Sequence, residues 1–351
     1  MSRLNDHSVF PGKESGGYTS IVFEPGDLPG FKLQFLRRTE TLRTMLRRIK
    51  NNSDGSLQTR RRFLTGMAAM ALAARVSAEG KPKRIISTAP SITEALFALG
   101  LGDQLVGVSR FCNFPAAVQK LPKVGTYLAP DPEAIARLMP DLVILQRLSN
   151  ELTERLRALH INFIEVPHGT LQDVYTGISG ISEAAAVPDR GTALNDRIRR
   201  DLAAIQAKAK GLTSPRVLVV VNRRTGMLAD LTAIGPENYL EQLLEISGGT
   251  NILAKPGLPV YPRISLETVL REDPDVIIDL SGEQNSESER LATKTQVLNL
   301  WNQQSALIAV RKGRVIVGTS NALLVPGPRA PEAAQMLFDY MHSSNIQRNT
   351  K

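Results

Sequence analysis

Residues 188–211 read PDRGTALNDRIRRDLAAIQAKAKG, and the fold turns on how they are understood. Leu194, Ile198, Leu202, Ile205 and Ala209 recur at steps of four, four, three and four, which draws one apolar stripe down a helix. Pro188 and Asp189 suit the start of such a helix. Lys208 and Lys210 place cations at its negative pole, and Gly211 stands where a chain leaves its last turn. At about 1.5 Å per residue this is a rod of roughly 33 Å, long enough to reach from one small domain to another. The stretch predicts a strut with a folded unit at each end.

Both flanks alternate short β-branched runs with helical patterns, as parallel α/β sheets do. Strands are expected at 84–87, 105–108, 142–145 and 162–166 before the strut, and at 217–221, 276–280, 307–310 and 315–317 after it. The flanks also echo one another. The run Glu133-Ala-Ile-Ala-Arg137-Leu-Met-Pro140-Asp141-Leu-Val-Ile144-Leu returns 134 residues later as Glu267-Thr-Val-Leu-Arg271-Glu-Asp-Pro274-Asp275-Val-Ile-Ile278-Asp. Each copy predicts a short helix stopped by Pro, with the preceding residue extended, feeding a buried strand. The expected fold is α/β: two Rossmann-like lobes with mostly parallel sheets, 82–187 and 212–345, bridged by a single long α-helix, 188–211. A gap between such halves is where a small ligand binds.

Composition narrows the function. The formal charge of +9 divides unevenly: residues 1–78 carry 13 Lys and Arg against 6 Asp and Glu, and the rest carry 30 against 28. The remainder, so nearly neutral, offers no electrostatic footprint for nucleic acid. Cys112 is the only cysteine, which excludes an internal disulfide, a thiolate zinc cluster and a redox pair. No apolar run reaches the roughly 18 residues of a membrane span. An enzyme of the hydrolase class, exported and α/β, is the alternative of another kind, but no nucleophile elbow, P-loop or dinucleotide turn is found, so no catalytic residue is assigned.

The basic excess has its own reading. Thr59-Arg60-Arg61-Arg62-Phe63-Leu64 precedes a weakly apolar stretch, Gly66 to Ala74, then Arg75-Val-Ser-Ala78, the order of an n-region, an h-region and a small-residue cut. It resembles a twin-arginine signal peptide, 59–78, cleaved near Ala78, which implies a periplasmic location. Residues 1–58 are expected to be a disordered extension and the signal's n-region.

The residues Arg84-Ile-Ile-Ser-Thr-Ala-Pro90-Ser91-Ile-Thr-Glu94, Gly107-Val-Ser-Arg110, Phe114-Pro115, Leu121-Pro-Lys-Val-Gly125, Asn251-Ile252 and Pro326-Gly-Pro-Arg329 resemble the helical-backbone solute-binding proteins of ABC importers. The likeness covers residues 82–342, nearest in look to cobalamin binders, with ferric siderophore and haem binders sharing the frame. It implies a monomeric two-lobed receptor without a cofactor of its own, a metal-chelate ligand between the lobes, and delivery to a permease driven by a cytoplasmic ATPase.

The resemblance places Tyr127 and Tyr261 where cobalamin binders hold ring-stacking aromatics. Arg147 stands where another lining aromatic is common, and Leu323 and Leu324 occupy a loop where aromatics are found. Arg110, Arg147, Arg223 and Arg224 lie near expected strand ends, where guanidinium groups could clasp an anionic part of a ligand, or could equally be solvated surface charges. Ligand-binding candidates are therefore Tyr127, Arg147, Tyr261, Arg110, Arg223 and Leu323. His168 follows a strand end and is the one candidate axial ligand to a bound metal centre; no protein metal site is expected. In the resembling family a glutamate on each lobe docks on the permease, which points to Glu151 on the first and to Glu283, Glu287 or Glu289 on the second.

Overall fold

A computed structural model describes residues 81–147, 150–281, 287–318 and 320–342. The extension expected over 1–58, the signal over 59–78 with its cut near Ala78, and Glu283 lie outside the described residues.

In the first lobe β1 (Ile85–Ser87), β2 (Leu105–Val108), β3 (Leu142–Gln146) and β4 (Phe163–Val166) pair in the order β2-β1-β3-β4, all parallel. The central strands β1 and β3 read as near-continuous apolar runs because both faces are covered, while the edge strand β4 carries Glu165 and is mostly half-buried. Ile85, Leu142 and Ile144 pack into one core cluster, while Ile86, Val143 and Leu145 enter another on the opposite face. The second lobe holds β5 (Arg216–Asn222), β6 (Leu231–Ala233), β7 (Thr250–Asn251), β8 (Arg263–Ile264), β9 (Val276–Asp279) and β10 (Val315–Val317). Their order is β10-β9-β5-β6-β8, with β7 beside β5; β6 and β8 run antiparallel to their neighbours and the other pairings are parallel.

One expected strand is a helix. Leu307–Val310 coils into the turn Ile308–Arg311, because Asp273 Oδ1 accepts the Ile308 N–H at 2.8 Å and Leu307 O accepts from Arg311 at 3.1 Å. A four-residue apolar run cannot distinguish a buried strand from a buried turn of helix.

The linking helix runs Pro188–Ala209 and buries Leu194, Ile198, Leu202, Ile205 and Ala209, the predicted stripe. Lys210 leaves the helix extended and Gly211 follows at φ +86°. The helices Leu171–Ala184 and Ala330–His342 pack on it. Leu194, Ile198, Leu202 and Ile205 of its stripe belong to a core cluster that includes Ile85 and Leu105 of the first sheet and Val217 and Val276 of the second. The two sheets thus share one continuous core through the helix, which makes it a packed partner of both.

The echoed runs fold as twins. The helix Pro132–Arg137 leads to β3, and Leu266–Glu272 leads to β9. In the first lobe Asp141 accepts from the Lys83 and Arg84 N–H groups at 2.8 and 3.0 Å, while Arg84 Nε donates to Met139 O at 3.0 Å. In the second, Asp275 accepts from the Arg216 N–H at 3.0 Å and Arg216 Nη1 donates to Asp273 O at 3.1 Å. Each lobe therefore clasps the start of its central strand with the Asp of Pro-Asp, and uses that strand's first Arg to cap the preceding helix. The residues before the prolines are left-handed, where extended geometry was expected: Met139 has φ 44° and Asp273 φ 40°. The chain has to reverse between helix and strand within one residue, and tertiary closure overrides the local preference.

Candidate ligand cleft

Open α/β sheets place ligands beyond the carboxyl ends of their parallel strands. In the first lobe the loop leaving β2 carries Arg110 to Phe114, the one leaving β3 carries Arg147, and the one leaving β4 carries His168 and Gly169. The second lobe meets these loops. The Tyr239 N–H, at the head of the helix Tyr239–Ile246, donates to Gly169 O at 2.7 Å. Gln242 Oε1 accepts from the Leu171 N–H, also at 2.7 Å.

The strongest cross-lobe contact centres on Arg329. Its Nε and Nη2 donate to Glu94 Oε2 and Oε1 at 2.9 and 2.5 Å, and Nη2 also reaches Asn321 Oδ1 at 3.1 Å. Glu94 sits on the first-lobe helix Pro90–Ala98, and both side chains of the pair are nearly buried. Burial pushes the Glu94 carboxyl up while Arg329 pulls it back, and the net direction is upward. Burial also works against the Arg329 charge, but Glu94 holds that group above its ordinary range. The bidentate geometry is that of carboxylate on guanidinium. The Phe114 ring lies over the same guanidinium, 4.2 Å from centroid to Cζ.

Large apolar side chains stay exposed on the loops of both lobes: Phe111, Phe114, Tyr127 and Leu128 on the first, Met227, Val260, Tyr261 and Leu324 on the second. Tyr127 meets Phe111 edge to face, with centroids 5.4 Å apart at 66°. The Arg110 N–H donates to Gly125 O at 2.9 Å, which ties the loop after β2 to the turn bearing Tyr127. Tyr261 follows Val260, whose carbonyl accepts from Asn238 Nδ2 at 3.3 Å, so it stands beside the segment that reaches Gly169. Burial nonetheless pushes the Tyr261 hydroxyl up. Arg110 and Arg147 are exposed and have no ion-pair partner among the described residues.

Two expected lining residues are placed elsewhere. The Arg223 side chain is buried against Asp279, Nε to Oδ2 at 3.3 Å, and its Nη1 donates to the carbonyls of Arg224 and Met227. Its charge is spent on the protein, and it shapes the loop that presents Met227. Asp279 also accepts from the indole of Trp301, itself fully buried, at 2.8 Å. Leu323 is 0% exposed and belongs to the core, whereas Leu324 is 43% exposed. Arg224 is exposed and pairs with Asp230. His168 is exposed and borders a cavity of about 20 Å³ between Ser91, Asp173 and Gly327, with room for about one water. Among the described residues no three His, Cys, Asp or Glu side chains converge as a metal site. Glu151 and Glu287 lie on the helices Asn150–Ala158 and Glu287–Asn302.

Phe111, Phe114, Leu128, Met227 and Val260 were not singled out from the sequence as lining residues. Two phenylalanines just beyond a strand end, in Arg110-Phe-Cys-Asn-Phe114, were the available signal.

Comparison with known proteins gives a consistent picture. A family model described as periplasmic binding protein matches residues 85–322. A vitamin B12-binding protein of Vibrio parahaemolyticus is 26% identical over 76% of this chain and 92% of its own length. An uncharacterized ABC transporter substrate-binding lipoprotein of Bacillus subtilis is 26% identical over 78% and 84%. Among solved structures, a periplasmic haem-binding protein from Roseiflexus sp. RS-1 in apo form superposes with a TM-score of 0.64 at 26% identity, covering 74% of this chain and 98% of that one. The periplasmic vitamin B12-binding protein of Vibrio cholerae gives 0.62 at 26%, covering 76% and 99%. These relatives are binding proteins, not enzymes. With both sheets and the linking helix inside the matched span, the chain belongs to the periplasmic binding protein family.

Proposed function

We propose that this chain is the substrate-binding component of an ABC importer, a monomer that holds cobalamin or another corrinoid between its lobes and delivers it to a permease powered by a cytoplasmic ATPase. The observation that carries this reading is the set of exposed rings and aliphatic side chains on the loops of both lobes, Phe111, Phe114 and Tyr127 on the first and Met227, Tyr261 and Leu324 on the second. Soluble proteins seldom leave such apolar surface uncovered without a use for it, and ring faces suit a large flat chelate. The names borne by the relatives point the same way. The working units are the lobes 82–187 and 212–345 with the linking helix 188–211 between them, and the route outward is the twin-arginine signal over 59–78, cut near Ala78 to leave the protein in the periplasm.

Haem is the second reading, with ferric siderophores after it. It is favoured by the two unpaired guanidinium groups, Arg110 and Arg147, which suit a ligand with carboxylate arms, and by the haem-binding neighbour at a TM-score of 0.64. Glu151 on the first lobe and Glu283 or Glu287 on the second are the proposed permease contacts.

Isothermal titration of the purified chain with cyanocobalamin, cobinamide, haemin and a ferric hydroxamate tests the assignment. One ligand per chain with a corrinoid preference supports the first reading, haemin preference supports the second, and heat from none of the four removes both.

A further inference from the structure

We infer that Phe114 is a ring platform for the ligand and that Arg329, from the opposite lobe, is the positioning residue that holds it in place. The inference rests on the reading of a flat, conjugated metal chelate given above.

The in-plane donors of Arg329 point to Glu94 Oε1 and Oε2 and to Asn321 Oδ1. A guanidinium fastened on two edges cannot tilt freely, so its orientation is fixed by groups from both lobes. What remains available is its face, and Phe114 lies on it at 4.2 Å. A benzene ring has two faces. One is covered by Arg329, yet the residue is still 45% exposed, which leaves ring surface open to solvent. Phe111, three residues earlier in the same loop, is also exposed and is braced by Tyr127. The loop after β2 therefore displays two phenylalanines, each in contact with a separate partner.

The chemistry favours a π ligand on the open surface. A cation beneath a ring draws electron density toward itself, so a second, electron-rich ring on the other side is less strongly repelled. The stack would run guanidinium, Phe114, macrocycle. Because the guanidinium belongs to the second lobe and the ring to the first, the platform exists only while the Glu94–Arg329 pair holds the lobes in register.

Calorimetry with cyanocobalamin and with haemin, on Phe114→Leu, Phe114→Tyr, Arg329→Lys and the Phe114→Leu/Arg329→Lys double variant, tests this. Phe114→Leu is expected to weaken whichever of the two ligands the native chain binds by about fivefold, while Phe114→Tyr retains affinity. Arg329→Lys keeps the charge but loses the flat face, and is expected to weaken binding in the native background and to add nothing to Phe114→Leu. That non-additivity is the mark of action through the ring. Native affinity in Phe114→Leu overturns the platform, and additive losses overturn the positioning role. If Arg329→Lys does not fold, Phe114→Leu against Phe114→Tyr still decides the platform. A native chain that binds neither ligand overturns the underlying reading instead.

Discussion

Met139 and Asp273 occupy matching places, each reversing the chain in left-handed geometry just before a proline. Asp273 is useful there, since its carboxylate also starts the turn at Ile308. Met139 is an exposed side chain with no such duty. A β-branched replacement in left-handed geometry costs about 1 kcal/mol, so Met139→Ile should melt roughly 2 °C lower, whereas Met139→Gly should not. At the same scale, Tyr127→Ala and Tyr261→Ala are each expected to weaken the best ligand about tenfold, as loss of a stacked ring would. Titration of both variants checks the placement, and unchanged affinity in both removes it. The residue scale is also where sequence reading ran short. Nothing in the neighbourhood of Arg223 discloses that Asp279, far along the chain, neutralises it. Leu323 and Leu324 sit at the end of one short turn, Asn321–Leu323, too brief for any period to tell which faces inward. Aromatic residues past a strand end read equally as core, so Phe111 was not singled out and Phe114 was noted for the family resemblance without a place among the ligand-binding candidates.

Helices and strands were more legible, in proportion to their length. The linking helix has enough turns for its stripe to repeat, and it emerged with its cap; β6, β7 and β8 are two or three residues each and carry no pattern at all. At Gly191 a Cβ would lie 2.0 Å from Ser182 Oγ and 2.6 Å from Ser182 Cβ on the helix Leu171–Ala184. Gly191→Ala should therefore destabilise the chain by about 2 kcal/mol despite the better helix propensity of alanine, measurable by urea denaturation. The helix Tyr239–Ile246 carries a second prediction. Burial, then the neighbouring Glu245, raise the Glu241 carboxyl from its ordinary 4.5 to about 7. A folded state that keeps this proton longer than the unfolded chain is favoured below 4.5 and loses that advantage as the pH climbs through 7. Glu241→Gln should flatten the fall in melting temperature across that window; an unchanged slope would count against the shift.

At the scale of the whole molecule, the alternation of runs and the echoed Pro-Asp segments carried the two-sheet architecture, because both features recur over distances that local noise does not mimic. The continuity of the core across the linking helix was not legible, since a stripe of five apolar residues does not reveal how many partners press on it. The same shared core argues that surface changes at the far ends should leave the cleft undisturbed. Glu151→Arg combined with Glu287→Arg is expected to abolish uptake in cells while ligand affinity stays native, and normal uptake would refute the docking assignment.

Trp301 is the chain's single indole, sealed within the second lobe and hydrogen-bonded to a carboxylate. Red-edge excitation consequently illuminates one half of the protein and leaves the other dark. Comparing the emission melt with the loss of helical dichroism, which sums over the whole chain, then sets the second lobe against the rest, and coincident curves would mean that neither half outlives the other.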